Sequence, residues 1–305
     1  MTRFALARLV QAIPSLLGVT LAAFVLLQLS GDVTEILLPP QATDEVRAAF
    51  RHAYGLDQPI PVQYVDYLSH LLRGDFGLSF AYQQPAFQVV LGRLPATLEL
   101  SAVAMLIAIL IAIPAGIVSA VKRSSIFDRL AMGMVLLGQS VPTFWLGMLL
   151  IMVFAVHFRV LPVSGRGTLL QLILPSVTLS MWLLALLARL TRSGMLEVLS
   201  QDYVRTARAK GLGEPTVLGR HAFRNAMNPI ITLVGLQLGG LLGGAVLTET
   251  VFAWPGIGTL MLDSILKRDY PVVLAGLIMI ACGFVIINFL VDVLYRGLDK
   301  RVQLA

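Results

Sequence analysis

The sequence predicts an all-α membrane protein with six transmembrane helices, on three observations. Of 305 residues, 57% are apolar and only 13% charged, and mean hydropathy is +0.83. An average soluble domain is about 45–50% apolar with glycine included, and about 25% charged. The apolar residues fall into uncharged runs of about 18 or more, the length a helix needs to cross hydrocarbon. Lys and Arg divide unequally between alternate loops, as topology requires. A soluble globule, a disordered chain and a disulfide-rich scaffold are excluded. The runs are continuous and far longer than the about 9–11 residues of a barrel strand, which argues against a β-barrel. Helices satisfy their own backbone hydrogen bonds in lipid.

The first run is Leu9–Leu29, after Arg3 and Arg8. It exceeds the about 7–15 residues of a signal-peptide core and has no clear cleavage site, so it reads as a retained anchor. Segment 30–93 follows, polar and aromatic, with Tyr54-Gly55-Leu56-Asp57-Gln58-Pro59 and Arg73-Gly74-Asp75-Phe76-Gly77. Short helices lying on the outer face are expected there, as a cap or as a docking surface. The second span is Leu94–Val121, with Glu99 near its start; the third is Leu130–Val156. Ser140-Val141-Pro142-Thr143-Phe144-Trp145 sits mid-span, and proline there predicts a kink, serving as packing device or gate. Pro114 and Pro175 are similar kink candidates.

The fourth span is Leu169–Ala188, the fifth Pro229–Leu247 and the sixth Val272–Val291. The fifth carries Gly235, Gly239 and Gly243, and again Gly240 and Gly244, at the four-residue spacing that lets a second helix approach closely. That partner is either internal or another subunit. Gln139 and Gln237 are the polar residues within spans for which pore lining and interhelical bonding stand level; Asn288 reads as interhelical. The organisation expected is an anchor at 1–29, an external region at 30–93, and a five-helix transmembrane core at 94–305 that contains the long loop 189–228.

Net charge is +6, and the loops divide it into 15 basic and 6 acidic residues on the N-terminal side against 8 and 11 opposite. The side totals of +9 and −3 make the N-terminus, the C-terminus and the 189–228 loop cytoplasmic. The basicity is topological, not a nucleic-acid footprint. Cys282 stands alone and reads as an inert buried thiol. No Gly-x-x-x-x-Gly-Lys-[Ser/Thr], no His-Glu-x-x-His and no Gly-x-Ser-x-Gly occurs. No catalytic residue, metal site or cofactor is therefore assigned to this chain. Span interiors hold no ionisable residue, which disfavours proton-coupled transport.

The loop is the most informative segment. Residues 202–210 are good helix formers, Gly211 and Gly213 end that helix, and Pro215 suits the start of another. A helix–turn–helix pair is expected, held between two spans so that a partner gripping it moves both. A charged anchor on anionic headgroups is the plainer reading, but the loop is too long and too structured to be only that.

At this loop the chain resembles the permease subunits of binding-protein-dependent ABC importers. Their signature Glu-Ala-Ala-x-x-x-Gly aligns at Gly211, with Arg205, Thr206 and Ala207 in its first three positions. The missing Glu is a feature of the peptide-permease branch, which Asp202-Tyr203-Val204-Arg205-Thr206-Ala207-Arg208-Ala209-Lys210-Gly211 and Arg220-His221-Ala222-Phe223-Arg224-Asn225-Ala226 resemble. So do Gly74-Asp75-Phe76-Gly77, Arg93-Leu94-Pro95-Ala96-Thr97, Glu249-Thr250-Val251-Phe252-Ala253-Trp254-Pro255-Gly256 and Arg268-Asp269-Tyr270-Pro271. Tract 157–168 looks short for the group.

The resemblance is to the first of two paralogous permeases of the dipeptide/oligopeptide (peptide/nickel) group. It implies a type I ABC importer permease fold with a cytoplasmic coupling helix, in a bacterial inner membrane. It implies a heterodimer with a second permease, two ATP-binding subunits that carry ATP and Mg, and an extracytoplasmic binding protein. The coupling residues it implies are Asp202, Tyr203, Arg205, Thr206, Ala207, Lys210, Gly211, Leu212, Gly213, His221, Arg224 and Asn225. Substrates in the group span dipeptides, oligopeptides, glutathione and metal chelates. A stand-alone channel or secondary carrier, and an intramembrane enzyme, are the rival classes.

Overall fold

The computed structural model describes residues 2–29, 38, 41–53 and 55–298, and they are mostly helical with no strand among them. Tyr54, Lys300 and Arg301 lie outside the described residues. The chain forms two compact units, residues 1–94 with 260–283, and residues 95–259 with 284–305.

In the first unit, α1 (Thr2–Leu29) is followed by α2 (Asp44–Ala53) and α3 (Ile60–Leu72). Short helices, as expected in the 30–93 segment, are thus present. Pro59 precedes α3 and Pro61 occupies its first turn, where the missing N–H is harmless. Phe24 of α1 packs its ring 5.3 Å from Tyr64 and 5.9 Å from Tyr67 of α3. The Thr20 hydroxyl lies 3.0 Å from that of Tyr64.

The second unit is built on long helices. α4 (Ala86–Val121) has 36 residues, so at 1.5 Å per residue it runs about 54 Å, well past a hydrocarbon core of about 30 Å. Ala96, Ala104, Ala108 and Ala112 are fully buried along one face and let neighbours approach. Those neighbours include Leu172, Leu179, Leu183 and Leu187 of α7 (Leu169–Leu199), Val135 of α5 (Ile126–Ser140), and Ile230 and Leu241 of α10 (Arg224–Gly244). Pro114 and Pro175 stay inside continuous helices.

The third predicted span is not one kinked helix. It is α5 followed by α6 (Thr143–Leu150), which continues as wide π turns to His157, and the two arms bend by 104°. The proline explains the break. Val141, before it, is barred from the helical region and sits extended at φ −87°, ψ 121°; Pro142 follows at φ −59°, ψ 133°. Two successive extended residues end a helix, whereas one lost hydrogen bond only bends it.

Among the described residues, four helices are long and apolar enough to cross a membrane, or five if the bent pair is one span. α1, at 28 residues, also exceeds the about 20 a span needs. α7 continues eleven residues beyond the predicted end at Ala188. The fifth span is α10 alone; Val246–Val251 forms a separate helix, α11, before α12 (Ile257–Leu266) and α13 (Tyr270–Leu298).

Candidate functional site

Ser200 and Gln201 break α7 from α8 (Asp202–Ala209), a two-turn helix. Gly211 then reverses the chain at φ +77°, a conformation costly for any residue with a Cβ. Gly213 is the N-cap of α9 (Glu214–Thr216), with Pro215 second in it, and wide π turns over Val217–Phe223 lead into α10. The helix–turn–helix expected from the sequence is this arrangement.

One side of α8 is seated and the other is open. Val204 and Val217 are fully buried and Ala207 nearly so, packed with Val198 and Leu199 at the end of α7. Ala207 is therefore small because it is buried, and does not itself present a surface. Asp202, Tyr203, Arg205, Thr206, Lys210, Gly211, Leu212, Gly213, Arg224 and Asn225 are exposed; His221 is half-buried. The Asn225 amide donates to the Tyr203 hydroxyl at 3.0 Å and to the His221 carbonyl at 2.9 Å, tying α8 to α10. Arg208 Nε donates to Glu214 Oε1 at 2.7 Å, which closes the turn and holds the guanidinium above its usual pKa. Arg205 lies 3.6 Å from Asp202, fully in solvent reach.

Beneath this platform is an ion pair that sequence reasoning did not single out. Asp128, in the first turn of α5, accepts from Arg192 Nε at 2.7 Å and Nη2 at 2.8 Å. It also accepts from the Ser119 hydroxyl of α4 and from the Ser124 backbone N–H at 2.9 Å. The Asp128 side chain is 5% exposed. Bidentate, charge-assisted bonding of this kind is strong and directional. One carboxylate thus joins α4, α5 and the part of α7 that carries the loop. Ala120, Met195, Ala222 and Ala226 pack beside it, and Gly116 faces Thr191 so closely that a methyl group would collide. The only sequence signal was Ser125 three residues before Asp128, a helix-capping spacing; Asp128 N does bond Ser125 Oγ.

A second clamp lies toward the other end of α4. Glu249 of α11 is fully buried and accepts from Thr97 Oγ1 at 2.9 Å and Thr259 N at 3.0 Å. Ile257 N donates to Thr97 Oγ1 at 2.8 Å, and Trp254 Nε1 to the Ala96 carbonyl at 2.8 Å. A Cβ on Gly256 would overlap the Glu249 carboxylate.

The gate candidates are dispersed. Gln139 accepts from Arg189 Nη1 at 3.4 Å, while Phe144 and Trp145, beside Pro142, are 41% and 47% exposed. Gln237 is half-buried on α10. The glycine faces separate: Gly235 abuts Val291 and Gly239 abuts Phe284, both of α13, so this face packs internally. Gly240 and Gly243 are exposed, and the surroundings of Gly244 lie outside the described residues. No group of residues fit to hold a metal occurs among the described residues.

Comparison with known proteins agrees with this architecture. Residues 112–304 match the family described as binding-protein-dependent transport system inner membrane component, and residues 1–101 its N-terminal counterpart. The di/tripeptide transport system permease protein DppB of Pseudomonas aeruginosa is 43% identical, and the dipeptide permease DppB of Escherichia coli K12 41%, each over 99% of both chains. The glutathione transport system permease protein GsiC of Salmonella typhimurium is 42% identical over 99% of both. Among solved structures, inward-facing forms of the MetNI methionine ABC transporter superpose with TM-scores of 0.55 and 0.60 at 19% identity, over 70% of this chain and 97% of theirs. Full-length identity above 40% to permeases, together with this fold, makes the chain a member of the binding-protein-dependent transport system inner membrane component family.

Proposed function

We propose that the chain is one of two homologous permease subunits in an ATP-driven peptide importer, and that residues 202–226 are its coupling loop. The observation that carries the reading is α8, a short helix seated on Val204 and Ala207 and open on its other face, braced on long helices through Asp128–Arg192. Two ATP-binding subunits, holding ATP and Mg, grip this loop in each permease. An extracytoplasmic binding protein delivers substrate to the opposite side. The loop side, with both termini, faces the cytoplasm in a bacterial inner membrane.

The mechanism follows from differential binding. A ligand shifts a conformational equilibrium only by what it gains in one state over the other. ATP closes the ATPase pair, the pair displaces α8, and α8 carries α7 and α10 through its packing on Val198 and Leu199 and the Tyr203–Asn225 bond. The chain itself needs no catalytic group and no cofactor.

The test is uptake by the complete complex in proteoliposomes. ATP-dependent uptake that requires the binding protein is expected; uptake indifferent to ATP, or a chain that purifies without ATPase subunits, sinks the reading. Gly211→Arg is expected to abolish uptake while membrane insertion is retained, since the left-handed turn is lost in an otherwise open space. Normal uptake by that variant removes the coupling assignment.

Dipeptides or short oligopeptides are the substrate class this reading favours. Glutathione is a second reading with its own observation. The alignments with the two DppB proteins extend over 333 and 336 positions, that with GsiC over 304, so the chain omits residues that those dipeptide permeases carry. Competition of glutathione against a labelled dipeptide for the cognate binding protein separates the two.

A further inference from the structure

Two motifs that coupling leaves unused meet in the unit made of residues 1–94 and 260–283. Gly74-Asp75-Phe76-Gly77 leaves α3 with two left-handed glycines, at φ +78° and +79°. The hairpin after it is closed by Ser79 N to Gln84 O at 2.8 Å and Ala86 N to Gly77 O at 2.9 Å. Asp269, fully buried, accepts from Ser79 Oγ at 2.5 Å and from the N–H groups of Phe80 and Ala81 at 3.1 Å each. That carboxylate bolts the hairpin to the start of α13, about 190 residues away in sequence.

Close to this bolt lies a cavity of about 290 Å³, lined in part by Phe80 and Tyr270. Its wall contains four aromatic rings, Tyr67, Phe76, Phe80 and Tyr270, with His70 and Asp75. Asp75 Oδ2 lies 3.3 Å from His70 Nδ1, and Asp66 Oδ2, outside the lining, lies 3.8 Å from His70 Nε2, so two exposed carboxylates flank the one imidazole that lines the cavity. The Tyr67 hydroxyl is buried without a hydrogen-bond partner among the described residues. Burial pushes that phenol up to about 12, so it stays neutral. The Gly77 N–H, and then His70, hold Asp75 below the usual carboxylate range.

We infer that this cavity is a docking pocket for one cationic side chain, lysine or arginine, presented by the extracytoplasmic binding protein. The inference rests on the importer reading, which places segment 30–93 and the 267–271 turn, and with them this cavity, on the outer side. Size selects the occupant class. At the lower edge of the about 300–1,000 Å³ of small-molecule pockets, this one suits a single side chain. Chemistry selects the charge. Aromatic faces attract a desolvated cation, an apolar stem fills the space behind it, and the Asp75 carboxylate completes the neutralisation. The loops on this side total −3 against +9 opposite, which steers a basic partner surface toward it.

The experiment uses the complete transporter in nanodiscs of fixed lipid composition. It measures the binding-protein Kd at low and high salt, and ATPase rates with and without that protein. Leu274→Trp fills the cavity, and Asp75→Asn removes charge while keeping the acceptor for Gly77 N. Leu274→Trp is expected to weaken docking about tenfold or more. Asp75→Asn is expected to weaken it at low salt and to flatten its salt dependence, with the unstimulated ATPase rate as in the wild type. Wild-type affinity in both variants overturns the pocket. So does an affinity that follows the anionic lipid content of the nanodisc and not the variants, which assigns the cavity to a headgroup. If Leu274→Trp also lowers the unstimulated rate, Asp75→Asn alone decides. A wild-type complex that no binding protein stimulates overturns the importer reading instead, so the two failures are distinct.

Discussion

Asp128 and Glu249 are both buried carboxylates and both clamp α4, yet they do so by different chemistry. Asp128 faces a guanidinium in bidentate contact, with Ser119 and one backbone N–H completing its shell. Glu249 faces only uncharged donors, from Thr97 and the backbone of Thr259. A charged pair depends on both members: removing one strands the other in a poorly solvated place. A carboxylate held by neutral donors has its cost spread over several weaker bonds, and each can be lost singly. The loop end of α4 is thus secured by one strong, all-or-none contact. The far end is secured by a distributed one.

The largest expected effect follows from that contrast. Asp128→Ala strands Arg192 and should destabilise the fold by about 3 kcal/mol, the low end for a broken buried pair because Arg192 is 26% exposed. A large fall in thermal midpoint of the detergent-solubilised complex checks it, and a midpoint near wild type removes the distinction between the ends. Glu249→Gln comes next, at about 1–3 kcal/mol, since its amide nitrogen must face a donor. Thr97→Val removes one bond to Glu249 and one from Ile257 N while keeping the shape, and should cost about 1–2 kcal/mol. Its additivity with Glu249→Gln in a double-mutant cycle sharpens the comparison: coupling is expected because they share a contact. Smallest is Glu214→Gln at the exposed Arg208 pair, which should leave the midpoint unchanged within error at physiological salt.

Helices were legible in the sequence because hydropathy and turn residues act locally. Gly211 announced its own turn, and the runs of leucine and alanine announced the spans. The end of α7 was not legible, since the apolar run stops near Ala188 while helix-forming residues continue to Leu199. Hydropathy marks where a helix can leave lipid, not where it unwinds. The break at Pro142 was visible as a proline but not as a 104° turn, because tertiary packing decides whether a helix bends or stops. The clamps escaped for another reason. Asp128 and Arg192 stand 64 residues apart, Thr97 and Glu249 152 apart. Arg192 looked like one more topological charge, and only the fold supplies its partner. The glycine ladder was half legible: its spacing gave close packing, but not that Gly235 and Gly239 meet α13 while Gly240 faces open space.

Thr97 and Ser119 stand about 33 Å apart on α4, at 1.5 Å per residue. Between them the helix keeps its backbone ladder except at Pro114, which offers no N–H to the preceding turn. Viewed as a beam fixed at both supports, α4 has its greatest compliance at that one residue, and Pro114 lies much nearer the Ser119 support. A sideways push at the loop end therefore meets a short stiff arm, and any curvature that develops gathers at Pro114 before it reaches the longer arm ending at Thr97.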